Sequence, residues 1–99
     1  MLQKIKVGGL DYNILYRPVS EMPSGILGYA NFEKQEIGIN AEVSKATQRV
    51  ALWHETLHIL STAYTIKLQE DQVNMLTQAL LAFVSDNPTF IEDYVKNQT

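Results

Sequence analysis

The sequence predicts a single α+β domain spanning residues 1–99, with strands in its first forty residues and helices in the rest. Three observations predict this. Apolar and polar residues alternate in short runs up to Asn40. No Gly or Pro then occurs between Ser44 and Tyr64. Beyond that, acidic residues and an Asn-Pro break set off two further helices.

The first hairpin runs from Lys4 to Tyr16. Ile5 and Val7 alternate with Lys4 and Lys6, Gly8-Gly9 offers the turn, and Tyr12-Asn13-Ile14-Leu15-Tyr16 returns. Arg17-Pro18 and the stretch from Ser20 to Gly25 read as a loop. A second pair follows, Leu27 to Phe32 and Glu36 to Asn40, joined by the polar turn Glu33-Lys34-Gln35. Ile37 and Ile39 share one face, with Tyr29 or Phe32 expected to pack beside them.

From Ser44 to Tyr64 a helix is expected, and its faces are unequal. Val50, Trp53, Leu57, Leu60 and Tyr64 form one apolar wall; Leu52, Ile59, Ala63 and Ile66 form a second, nearly opposite. A helix apolar on two flanks is packed on both sides. Lys45, Arg49 and Thr56 point outward, whereas Thr47, His54, His58 and Ser61 line a polar stripe between the walls, beside Ala51, Glu55 and Thr62. The next helix should cover Gln69 to Ser85, with Val73, Leu76, Leu80, Phe83 and Val84 inward. Asn87 as N-cap and Pro88 at the first helical position would open the last, which carries Phe90, Ile91, Tyr94 and Val95 inward.

Composition removes several classes of function. Hydrophobic content of 45% and charged content of 19% are those of a soluble globular protein. A formal charge of −3 provides no electrostatic footprint for nucleic acid and opposes a DNA-binding regulator. The absence of cysteine excludes disulfides and thiolate metal sites, leaving nitrogen and oxygen as metal donors. The N-terminus lacks the apolar core of a signal peptide, and no run approaches membrane-spanning length. The expected location is therefore cytoplasmic, with no membrane partner.

The chemistry concentrates in His54-Glu55-Thr56-Leu57-His58, which fits the H-E-x-x-H pattern and holds the only two histidines of the chain. Histidines at i and i+4 lie one above the other on a helix face, so both imidazoles can reach one Zn²⁺. Glu55 is then placed to act as general base on a water activated by the ion. Catalytic zinc takes three protein ligands. With no other His and no Cys, the third must be Asp or Glu; Glu70 is the first candidate and Asp71 the second. Both stand at the start of the helix expected to pack on the central one. Twelve positions separate His58 from Glu70. A helix running to Tyr64 carries the chain about 9 Å past the histidines, so the chain must turn back sharply after Ala63.

Residues 28–95 resemble the small phage and prophage metallopeptidases of the zincin type, close to the ImmA/IrrE-like group and the minimal gluzincins. The resemblance is carried by Gln35-Glu36-Ile37-Gly38-Ile39-Asn40, by Gln48-Arg49-Val50-Ala51-Leu52-Trp53 leading into the motif, by Glu70-Asp71-Gln72-Val73-Asn74, and by Asp86-Asn87-Pro88. It implies a zincin-like domain, its N-terminal antiparallel hairpins packed on the central helix. His54, His58 and Glu70 would be zinc ligands and Glu55 the catalytic base. It also implies an edge strand along which a peptide adds. The chain departs from the larger gluzincins in lacking a third histidine, which leaves Tyr29, Tyr64 or Tyr94 as the tyrosines that could stabilise the oxyanion. The expected function is zinc-dependent peptide hydrolysis, the alternative a phage-encoded interaction protein that binds a protein partner with little turnover. The partner is a peptide or protein in either case; the sequence leaves the oligomeric state open.

Overall fold

The computed structural model describes residues 2–98. Its elements are β1 (Lys4–Val7), β2 (Leu10–Arg17), one turn of 3-10 helix (Val19–Glu21), β3 (Gly28–Asn31), β4 (Glu36–Asn40), α1 (Lys45–Ala63), α2 (Glu70–Asp86) and α3 (Phe90–Lys96). This is a small α+β domain, as the alternating N-terminal pattern and the uninterrupted middle segment predict.

Both expected hairpins form. β1 and β2 pair antiparallel across Gly8–Gly9, both with positive φ, and β3 pairs antiparallel with β4. The hairpins join through a parallel pairing of β2 with β4, which puts Ile14 beside Ile37 and Tyr16 beside Ile39. The strand order is β1-β2-β4-β3, so β3 is an edge strand.

One sheet face carries the core. Val7, Tyr12, Ile14, Ile37 and Ile39 are buried there with Ala51 and Ile59 of α1, and Ile37, Ile39 and Ile59 are wholly inaccessible. Tyr29 does not join them. It pairs with Gly38, and a Cβ at Gly38 would collide with its ring, so Tyr29 covers the glycine on the opposite sheet face. Strand alternation is the reason: Gly28 and Ala30, not Tyr29, share the face of Ile37 and Ile39. On that outer face Tyr29 OH donates to Glu36 Oε2 (2.7 Å) and accepts from Arg17 Nε (3.0 Å). Phe32 is 43% exposed, so it too lies outside the core.

α1 starts where Ser44 Oγ accepts the Thr47 backbone N–H. The buried Gln48 side chain donates to Ala41 O and Val43 O, tying the helix to the end of β4. The sheet lies on one side of α1 and α2 on another, making it the central helix its two apolar walls imply. The walls differ in detail. Leu60 packs against the sheet cluster together with Leu52, while Ala63, Tyr64 and Ile66 are exposed.

The C-terminal third departs most from expectation. Val73 is fully buried, but Leu76 and Phe83 are 38% and 42% exposed, and α3 buries no residue. Phe90, Ile91, Tyr94 and Val95 therefore point to solvent rather than inward. Asn87 caps the end of α2 instead of opening α3, its Nδ2 donating to Phe83 O (2.9 Å). Among the described residues no helix is long and apolar enough to cross a membrane.

Candidate metal centre

The centre is assembled by a sharp reversal after α1. The helix stops at Ala63; Thr65 and Lys67 then take left-handed φ of 55° and 62°. Ser61 anchors the turn twice, its carbonyl accepting the Ile66 N–H (2.9 Å) and its Oγ the Leu68 N–H (2.8 Å). Gln72 then caps α2 by accepting the Gln69 N–H at 2.8 Å, and the next residue is Glu70. The detour that the His58-to-Glu70 spacing demands is thus closed within six residues, 64–69.

His54 and His58 sit one turn apart on α1 with their Nε2 atoms 3.2 Å from each other. Glu70 bridges them: Oε1 lies 2.9 Å from His54 Nε2, and Oε2 3.0 Å from His58 Nε2. Among the described residues these three form a group that could hold a metal ion. The donor chemistry suits a borderline cation, being two imidazole nitrogens and one carboxylate. The spacing suits it as well. Ligands at about 2.0–2.1 Å in a tetrahedral arrangement stand roughly 3.3 Å apart, and the two Nε2 atoms stand 3.2 Å apart. Asp71 lies outside the group, its Oδ1 accepting the Gln72 N–H at 3.0 Å.

Glu55 shares a cavity of about 490 Å³ with these donors. The segment Gly25–Gly28, which leads into the edge strand β3, lines it too, as does Asn74 of α2. Gly28 stands directly over the carboxylate arm, where a Cβ would lie 3.4 Å from Glu55 Cγ. Burial raises the Glu55 pKa, with His54 and His58 pulling it down and Glu70 pushing it up. Glu70 remains 63% exposed, so the centre opens to solvent on the α2 side.

None of the three candidate oxyanion tyrosines lines this cavity. Tyr29 is committed to Glu36 and Arg17 on the opposite sheet face, and Tyr64 and Tyr94 are 61% and 64% exposed elsewhere. Ser61, expected in the polar stripe, serves the turn instead. The sequence reading did not single out Val50, Leu27 or Asn74 as cavity residues. Asn74 stands one helical turn after Glu70, and that spacing is the signal that could have found it. Val50 stands one turn before His54 on α1 and carries the same signal, whereas Leu27, just before β3, carries none, because only the fold brings it to α1.

This is a small α+β domain bearing a His-His-Glu group able to hold a metal ion. Comparison of the chain with family models, with curated proteins and with solved structures finds no match.

Proposed function

We propose that this protein is a zincin-like, zinc-dependent metallopeptidase. The reading rests on one observation above all, the meeting of His54 Nε2 and His58 Nε2, 3.2 Å apart, with the Glu70 carboxylate, whose oxygens lie 2.9 and 3.0 Å from one ring each. Zn²⁺ held by these donors would supply Lewis acidity, polarising a substrate carbonyl and making water easier to deprotonate. Glu55 takes one proton from the attacking water as its oxygen bonds to the carbonyl carbon. It returns that proton to the amine nitrogen as the C–N bond breaks. The free edge of β3 beside Glu55 supports an extended peptide as substrate, added as a further strand and held by main-chain hydrogen bonds.

Elemental analysis of the purified protein tests the metal, and peptide turnover tests the chemistry. About one equivalent of zinc is expected, and His58→Ala should lose it. Glu55→Gln should keep the zinc and abolish hydrolysis; wild-type turnover by this variant would overturn the mechanism.

A second reading is favoured by the exposure of Glu70 and the open side of the cavity. On it, the protein is a phage-encoded zincin-fold interaction protein that captures a peptide segment of a partner with little turnover. It predicts bound zinc, no cleavage of peptide libraries, and a stable complex recovered by pull-down.

A further inference from the structure

We infer that α2 pairs with α2 of a second copy of this chain, antiparallel about a twofold axis at Ala79. The inference is independent of the metal. At ~100° per residue, Val73, Thr77, Leu80, Leu81 and Val84 occupy one arc of α2, and these are its buried or half-buried positions. Met75, Leu76, Ala79, Ala82 and Phe83 occupy a second arc, and every one of them is exposed, Met75 by 62%. A helix apolar on two flanks needs cover on both. α1 covers the first. Among the described residues the second meets Leu68, which lines a groove with Met75, Leu76 and Ala79, and Phe90 of α3, which meets Phe83 edge to face at 4.9 Å.

Size says that something substantial is missing. A folded monomer of 11.2 kDa is expected to expose about 5,700 Å², and this chain exposes 6871 Å². The radius of gyration is 14.1 Å, against about 12.6 Å for a compact domain of this length. The excess, roughly 1,200 Å² over the whole chain with the exposed α3 included, is larger than the ~800 Å² that each partner contributes to a standard interface.

The pattern on the arc points to a second copy rather than an unrelated protein. No Lys or Arg occurs between Glu70 and Asp86, and the arc is uncharged from Gln72 until Asp86. It offers nothing to steer a charged partner and nothing to repel its own copy. It is also near-palindromic in size. Small Ala79 lies at the centre, with Met75 and Leu76 one turn before it and Ala82 and Phe83 one turn after. Antiparallel pairing about Ala79 sets Met75 against the partner's Phe83 and Leu76 against the partner's Ala82, and lets the backbones approach at the alanine, an isologous contact that closes on itself.

The test is molar mass in solution by sedimentation equilibrium. The wild type is expected at twice 11.2 kDa in the micromolar range. Ala79→Glu, which opposes two carboxylates at the axis, should weaken the dimer by about 100-fold or more; Gln78→Glu, on the polar side, should leave it intact. Ala79→Cys offers a readout that needs no loss of stability, because the chain has no other cysteine. Mild oxidation should cross-link it into a covalent dimer, and Gln78→Cys should form no cross-link under the same conditions. A wild type of 11.2 kDa at about 100 µM would overturn the pairing. So would a dimer untouched by Ala79→Glu and not cross-linked through position 79, or a monomer whose α2 arc binds only a different protein.

Discussion

Ser61 Oγ accepts the backbone N–H of Leu68 at 2.8 Å, and this bond, with that from the Ile66 N–H to the Ser61 carbonyl, holds the turn that returns the chain to its histidines. Ser61 lies three residues beyond His58, and Leu68 two residues before Glu70. The contact thus couples the end of the helix that carries two of the donors to the start of the helix that carries the third.

Ser61→Ala should therefore affect both stability and metal binding. The buried hydroxyl is lost and the half-buried Leu68 N–H is left without its partner, a cost of about 1–3 kcal/mol. In a domain of this size each kcal/mol lowers the melting temperature by roughly 4–8 °C. Zinc affinity should fall by about 10-fold, the lower end of what loss of a supporting contact does to a metal site. Thermal melts and competition against a zinc chelator read the two effects separately.

Glu70→Ala and Asp71→Ala should differ sharply although the residues are neighbours. Removing a direct donor should weaken zinc binding by more than the ~10–100-fold typical of supporting groups. Asp71→Ala should change it by about 2-fold at most, since this carboxylate meets only the Gln72 N–H. Equal losses in the two variants, measured by calorimetry, would remove Glu70 from the ligand set.

Zinc should also raise the melting temperature in a concentration-dependent way. Binding to the folded state alone stabilises it by about 2.7 kcal/mol at a free concentration of 100 times Kd. Chelation should reverse the shift fully, and His54→Ala should show none.

Ile59→Ala tests the packing under the motif. Ile59 is wholly buried between α1 and the sheet, and its truncation should cost about 2–5 kcal/mol. That is a large share of the roughly 5–15 kcal/mol that holds a domain together. Denaturant midpoints provide the comparison.

On the opposite sheet face, Glu36 titrates below its ordinary value because the Tyr29 hydroxyl donates to it, with Arg17 adding to the effect. The unfolded chain then binds more protons than the folded one between the two pKa values, so stability rises with pH there. The contribution is complete above the ordinary carboxylate value of 4.5 and disappears as pH falls through the lowered folded value. Glu36→Gln should flatten this part of the acid limb, measured as urea midpoints from about pH 6 down to pH 3.

By itself the sequence determined the element order, the central helix and the two histidines one turn apart on it. These depend on local periodicity and on the i, i+4 geometry of a helix, which residues such as His54 and His58 carry in their spacing alone. It also restricted the third donor to an acid at the start of α2. Tertiary structure decided between Glu70 and Asp71, because the choice depends on where the turn held by Ser61 sets the first residue of α2. It decided the side of the sheet on which Tyr29 lies, because strand pairing and not composition determines which face a residue joins. It decided too that Phe83, Phe90 and Tyr94 stay exposed. Apolar periodicity shows that a face needs burial; what buries it is a property of the whole assembled surface.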